Sequence, residues 1–256
     1  MIRYLAAMLS LLLGASALAQ PAPQIHVRET GTGRDCWVLL HPFGASGRFW
    51  ERRAPELAQA HGVRVYSPDL PSHGRSRLVE RFGYREATAA IHAALRRDCP
   101  RPALIVGASS GGIVALQLAA MTRSPVVAIG VGDGFSEANL TTMRATADAA
   151  PGAFLTAYAE QGEAQTAAIT RHFADLAARG TSPFLTPAEA RRLSGRLLIV
   201  QGDRDDFFRP VQVARLAASV PDSRVIWFAG ADHLGPLAQP NATRLWDLVG
   251  AFARAH

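Results

Sequence analysis

The chain has 256 residues, 48% of them hydrophobic and 19% charged, an ordinary composition long enough for one large domain with a substantial core. Its formal net charge of +6 is carried by arginine alone, with no lysine present, and the arginines are scattered in pairs at most (Arg52-Arg53, Arg96-Arg97, Arg191-Arg192). Without a basic stripe interleaved with aromatics, that charge reads as a solvated surface and excludes nucleic acid as the expected partner.

In chain order, the first segment is "MIRYLAAMLSLLLGASALAQ". A positive start at Arg3, an apolar stretch from Tyr4 to Leu13 and small residues at Ala17 and Ala19 form the layout of a secretory signal peptide over residues 1–19. The apolar stretch is shorter than the ~20 residues that span a bilayer. The expectation is an exported protein, periplasmic or secreted, that begins near Gln20 and has no stable membrane insertion after cleavage.

Beyond it, short runs rich in Val, Ile and Leu alternate with segments of helical period. Strands are expected at residues 24–30, 36–41, 64–70, 103–107, 125–131, 196–202 and 224–230, and helices at 48–60, 84–98, 112–123, 210–220 and 242–255. Near-continuous apolar strands separated by helices predict an α/β fold, a mostly parallel sheet with helices on both faces. Residues 134–195 break the rhythm with at least two helical stretches, at 152–161 and 164–180, and no convincing strand. We read this as a small helical cap insertion in a single domain of residues 20–256, with Phe154, Leu155, Tyr158 and Phe173 as candidates to face a pocket.

Gly107-Ala108-Ser109-Ser110-Gly111 matches G-x-S-x-G, directly after a predicted strand and before a predicted helix. A sharp strand-to-helix turn brings the two backbones so close that the positions two before and two after the serine must be small. Centred on Ser109 these are Gly107 and Gly111; centred on Ser110 they are Ala108 and Gly112, a tighter fit. Ser109 is the better candidate nucleophile, and Ser110 then offers its backbone N–H to an oxyanion hole.

Four further segments accompany this motif: "LLHPFGASGRFW" (39–50), "YSPDLPSHGRS" (66–76), "LIVQGDRDDFFRP" (198–210) and "FAGADHLGPLAQP" (228–240). With them the chain resembles the α/β-hydrolase superfamily, as a serine-nucleophile, esterase-like member, over nearly all of its length after the leader. The resemblance implies an oxyanion loop with the Phe43 N–H as a donor, and a triad in the chain order Ser109, Asp205, His233. The family's Gly-x-x-Asp spacing from Gly202 selects Asp205 over the loop-capping candidates Asp203 and Asp206, with Asp133 as the alternative acid. One departure is His41-Pro42 where the family has His-Gly; proline removes an N–H from that loop.

The resemblance further implies hydrolysis of a small-molecule carboxylic ester, small to medium in size, through an acyl-enzyme. Alternatives are the same triad acting on a lactone, an amide or a C–C bond or in acyl transfer, and a non-catalytic hydrolase-like binding module. No cofactor and no metal are implied. Because the strands beginning near Cys36 and just after Cys99 are parallel neighbours in this fold, it also implies a Cys36–Cys99 disulfide in an exported chain. Asn241 fits a glycosylation sequon, but is read as the start of the last helix.

Overall fold

The computed structural model describes residues 23–149 and 152–256, so the candidate signal segment lies outside the described residues. Among them, one sheet contains β1 (Val27–Thr30), β2 (Cys36–Leu40), β3 (Arg64–Pro68), β4 (Leu104–Ala108), β5 (Val126–Ile129), β6 (Leu197–Gly202) and β7 (Arg224–Phe228). The spatial order is β1-β3-β2-β4-β5-β6-β7. Every pair is parallel except β1 with β3, where Val27 faces Pro68 and Thr30 faces Val65. All seven strands fall at the expected runs; β2, β4 and β6 agree to within one residue, and β1, β3, β5 and β7 are shorter than expected by two or three residues.

The continuous apolar runs have a direct cause. β2, β4, β5 and β6 are buried along their whole length, because side chains alternate between two covered faces. Val38, Leu40 and Ile105 meet α2 (Tyr84–Leu95), α3 (Ser110–Thr122) and α8 (Pro210–Ser219) on one side; Trp37, Leu39 and Val106 meet α1 (Arg53–His61) and α9 (Asn241–Arg254) on the other. α3 is apolar all round, and only the last two of its residues escape burial. Cys36 at the start of β2 and Cys99 after α2 form the disulfide, with Cα atoms 5.9 Å apart.

Between β5 and β6 the chain forms α4 (Glu137–Asp148), α5 (Ala153–Ala157), α6 (Glu163–Ala178) and α7 (Pro187–Arg192). α5 and α6 fall in the expected helical stretches; α4 and α7 lie outside them. α6 lies against α4, burying Leu140, Met143, Leu176 and Ala177. The link from α5 to α6 is tied to the body of the domain. Glu160 accepts hydrogen bonds from Arg28, from Arg75 Nε at 2.8 Å and from Ser46 Oγ at 3.2 Å. Gln161 Nε2 donates to the carbonyls of Gly74 and Ser76 at 2.8 and 2.6 Å. Among the described residues no helix is long and apolar enough to cross a membrane.

Candidate active site

At the end of β4 the chain must reverse into α3 within one residue. Ser109 takes up that turn with φ 52° and ψ −121°, a conformation rare outside glycine, and its N–H donates to Ile129 O at 2.8 Å. A Cβ on Gly107 would lie 2.2 Å from the Gly111 carbonyl oxygen, and one on Gly111 would lie 2.3 Å from that of Leu40. Both contacts are with backbone, which cannot swing aside. The two glycines are therefore the condition for the turn that lifts Ser109 out of the sheet.

Ser109 Oγ lies 2.9 Å from His233 Nε2, and His233 Nδ1 lies 2.8 Å from Asp205 Oδ2. The carboxylate accepts only, so Nδ1 carries the proton and Nε2 presents its lone pair to the serine hydroxyl. Asp205 is buried, yet fully partnered. Its Oδ1 accepts from the N–H groups of Phe207 and Phe208 at 2.8 and 2.9 Å, and Oδ2 also accepts from Gln201 Nε2. The structure thus brings Ser109, His233 and Asp205 into one hydrogen-bonded line.

The other aspartates are engaged elsewhere. Asp203 Oδ1 accepts from Gly230 N at 2.6 Å and so joins the turn after β6 to the loop after β7. Asp133, the alternative acid, is held by Arg215, whose Nε and Nη2 reach its two oxygens at 2.7 and 3.1 Å. That ion pair joins the carboxylate to α8, while the ring nitrogens of His233 are bonded to Asp205 and Ser109. Ser110 is occupied too: its Oγ and the Tyr84 hydroxyl are 2.9 Å apart, and burial pushes the Tyr84 phenol far above its ordinary range, keeping it protonated.

The residue that departs from the expected loop pattern finds a use. The Pro42 carbonyl accepts from His41 Nδ1 at 2.8 Å and from Ala45 N at 3.1 Å, while His41 Nε2 accepts from Leu70 N at 2.9 Å. These three bonds hold the loop that presents Phe43. The Phe43 ring is stacked on Phe173 of α6, with centroids 4.9 Å apart, and meets His73 edge-on. Among the described residues neither the Phe43 N–H nor the Ser110 N–H has a protein partner, and both residues border the cavity at Ser109.

That cavity measures about 240 Å³. Phe154 and Phe173 line it as expected; Leu155 lines an adjoining cleft instead, and Tyr158 packs on Phe154 and Phe49 outside both. Sequence reasoning missed Tyr84, Phe135, Phe207, Phe208 and Leu234 at this site. Phe207 and Phe208 directly follow the acid turn and were open to inference from that position; Tyr84 and Phe135 reach the site by long-range packing that leaves no local signal. Among the described residues, no group of three His, Cys, Asp or Glu side chains is placed to hold a metal ion.

The chain is similar to known proteins. A model of the alpha/beta hydrolase family matches residues 37–244. The chain belongs to the alpha/beta hydrolase family. Among curated relatives of this family member, the magnesium-chelatase 30 kDa subunit of Rhodobacter capsulatus is 39% identical over 35% of this chain and 32% of its own length. Lipase LipV of Mycobacterium tuberculosis is 33% identical over 41% of this chain and 40% of its own. The pimeloyl-[acyl-carrier protein] methyl ester esterase of Methylococcus capsulatus is 32% identical over 41% and 39%. The matched segments thus span about a third to two fifths of these relatives. Solved structures agree on the fold over nearly the whole domain: a thermophilic esterase from Thermogutta terrifontis superposes with a TM-score of 0.70 at 19% identity, covering 93% of this chain and 96% of that one. MGS-M2, an alpha/beta hydrolase from a deep-sea metagenome library, gives 0.73 at 15% identity over 90% and 94%.

Proposed function

We propose that the protein is an exported serine hydrolase that cleaves carboxylic esters through an acyl-enzyme. The observation that carries this reading is the unbroken line from Ser109 Oγ through His233 to a buried, fully partnered Asp205. A serine hydroxyl is a weak nucleophile until a base stands within hydrogen-bond reach. Ser109 Oγ attacks the ester carbonyl as its proton passes to His233 Nε2, and Asp205 stabilises the imidazolium. The oxyanion is held by the N–H groups of Phe43 and Ser110. Collapse expels the alcohol, which takes the proton from His233, and a water molecule activated by the same histidine releases the acid. An ester is the bond favoured here, in keeping with the names of the lipase and the methyl ester esterase among the relatives. The Cys36–Cys99 disulfide suits the oxidising compartment to which residues 1–19 would send the chain.

Intact mass of the exported protein, with and without a fluorophosphonate probe, tests both parts. One adduct on the wild type, none on Ser109→Ala, and an N-terminus at Gln20 are expected. An unlabelled, folded wild type would overturn the catalytic reading, and an intact leader on the exported chain would overturn the processing.

A further inference from the structure

The cavity at Ser109 adjoins two further hollows, and their borders differ. A cleft of about 720 Å³ between α4, α5 and α6 touches Phe43 but not His233. A hollow of about 430 Å³ touches His233 but not Phe43, and is rimmed by the exposed side chains of Arg204, Asp206 and Asp232. The cavity at Ser109 touches both residues and shares Phe154 and Phe173 with the cleft, and Phe207 and Leu234 with the hollow.

The tetrahedral intermediate assigns these spaces. Of its four substituents, one is Ser109 Oγ and one is the oxyanion at the Phe43 and Ser110 N–H groups. The leaving oxygen must face His233 Nε2, which protonates it. The acyl carbon takes the remaining direction, and of the two adjoining spaces the one that does not touch His233 is the cleft. The lining of the cleft then states what it accepts. No charged side chain is among the described lining residues. Three of its four threonines are polar in name only: Thr142, Thr146 and Thr170 donate their hydroxyls to the carbonyls of Ala138, Thr142 and Thr166, one turn back on their own helices. With the hydroxyls spent on the backbone, these residues offer methyl groups. Ala145, Leu155 and Ile169 complete an apolar wall of a size usual for small-molecule sites, about 300–1,000 Å³. Phe154, 42% exposed, stands at its threshold with Tyr158 packed against it.

We infer that this cleft is the acyl site, and that the substrates are esters of aliphatic acids well beyond acetyl length, with the alcohol leaving past His233 through the hollow rimmed by Arg204, Asp206 and Asp232. This assignment rests on the proposed ester hydrolysis and sharpens it: a small acyl group would leave most of the cleft unfilled.

The test is kcat/KM for p-nitrophenyl acetate, hexanoate and decanoate with the wild type, Ala145→Trp and Ala145→Leu. Ala145 is exposed on α4 and lines the cleft alone among the three spaces, and melting curves check that each variant folds. We expect a rise of about fourfold per methylene in the wild type over the first carbons, the ~0.8 kcal/mol of burying one CH₂ expressed as a rate. The decanoate-to-acetate ratio should fall at least tenfold in Ala145→Trp and less in Ala145→Leu. A wild type that hydrolyses acetate and gains nothing with chain length would overturn the assignment while leaving ester hydrolysis standing. Calorimetric titration of Ser109→Ala with decanoate gives a readout without catalysis. Binding that Ala145→Trp weakens supports the acyl site even if no ester is cleaved, and absence of binding counts against it.

Discussion

Asp205 meets His233 at 2.8 Å through one oxygen while the other is bonded to two consecutive backbone N–H groups, at Phe207 and Phe208. The carboxylate therefore has a single orientation, and it dictates which ring nitrogen of His233 carries the proton. Asp205→Asn would keep Oδ1 on the two amides and turn its NH₂ toward His233. Nδ1 would become the acceptor, and the proton would move to Nε2, where Ser109 needs a lone pair. We expect kcat to fall by about 10⁴-fold with little change in melting temperature. An activity within tenfold of wild type would sink the proposed role of the acid.

Three histidines near the loop that presents Phe43 are buried and neutral. Burial holds His41, His73 and His172 below the ordinary 6.5, His73 furthest. Below that value the unfolded chain takes up protons that the folded one refuses. Stability is thus complete above about pH 6.5 and declines as the pH falls further, by up to about 1.4 kcal/mol per unit for each histidine. Urea unfolding at pH 7.5, 6.5 and 5.5 should show this slope, and His73→Asn, which can still donate to Pro71 O, should reduce it. A flat profile across that range is the contrary result.

Glu160 responds to acid at a different point. Burial alone would raise its pKa, but the hydrogen bond and charge of Arg28, then the bonds from Arg75 and Ser46, outweigh it and hold the carboxyl below 4.5. Its contribution is fully present above that value and is lost as the pH falls through the lowered pKa. Glu160→Gln should make the segment from α5 to α6 easier to cleave by limited proteolysis at pH 7. An acid protease should cut variant and wild type alike once the wild-type carboxyl is protonated. Equal rates at pH 7 would show that Glu160 does not fasten the insertion.

The disulfide closes a loop with a sequence separation of 63. Replacing both Cys36 and Cys99 by serine should cost about 4 kcal/mol of stability on the loop-entropy estimate. Thiol titration of the oxidised, unfolded wild type should find no free sulfhydryl; two would rule the bond out.

The body of the domain was legible because its strands are covered on both faces and announce themselves as unbroken apolar runs. The turn at Ser109 was legible because the crowding between Gly107 and Gly111 is local and leaves a five-residue signature. The insertion was harder. α4 is rich in Thr, which weakens helix propensity, and beyond the local capping box of Ser136 and Asn139 its support comes from α6. α7 did carry a signal that went unread: Thr186 and Glu189 form a capping box around Pro187. The bond between Tyr84 and Ser110 joins residues from two different helices, and only the packed structure reveals it.

Ser109, Asp205 and His233 all follow the C-terminal ends of parallel strands, β4, β6 and β7, so their separations are inherited from the ~4.8 Å spacing of a rigid sheet. The acyl cleft belongs almost entirely to chain that leaves that sheet after β5 and rejoins it at β6. The proposed reactivity and the proposed selectivity are thus written on separable lengths of polypeptide. Libraries confined to α4, α5 and α6 can redraw the range of accepted acids while the reacting atoms keep their positions.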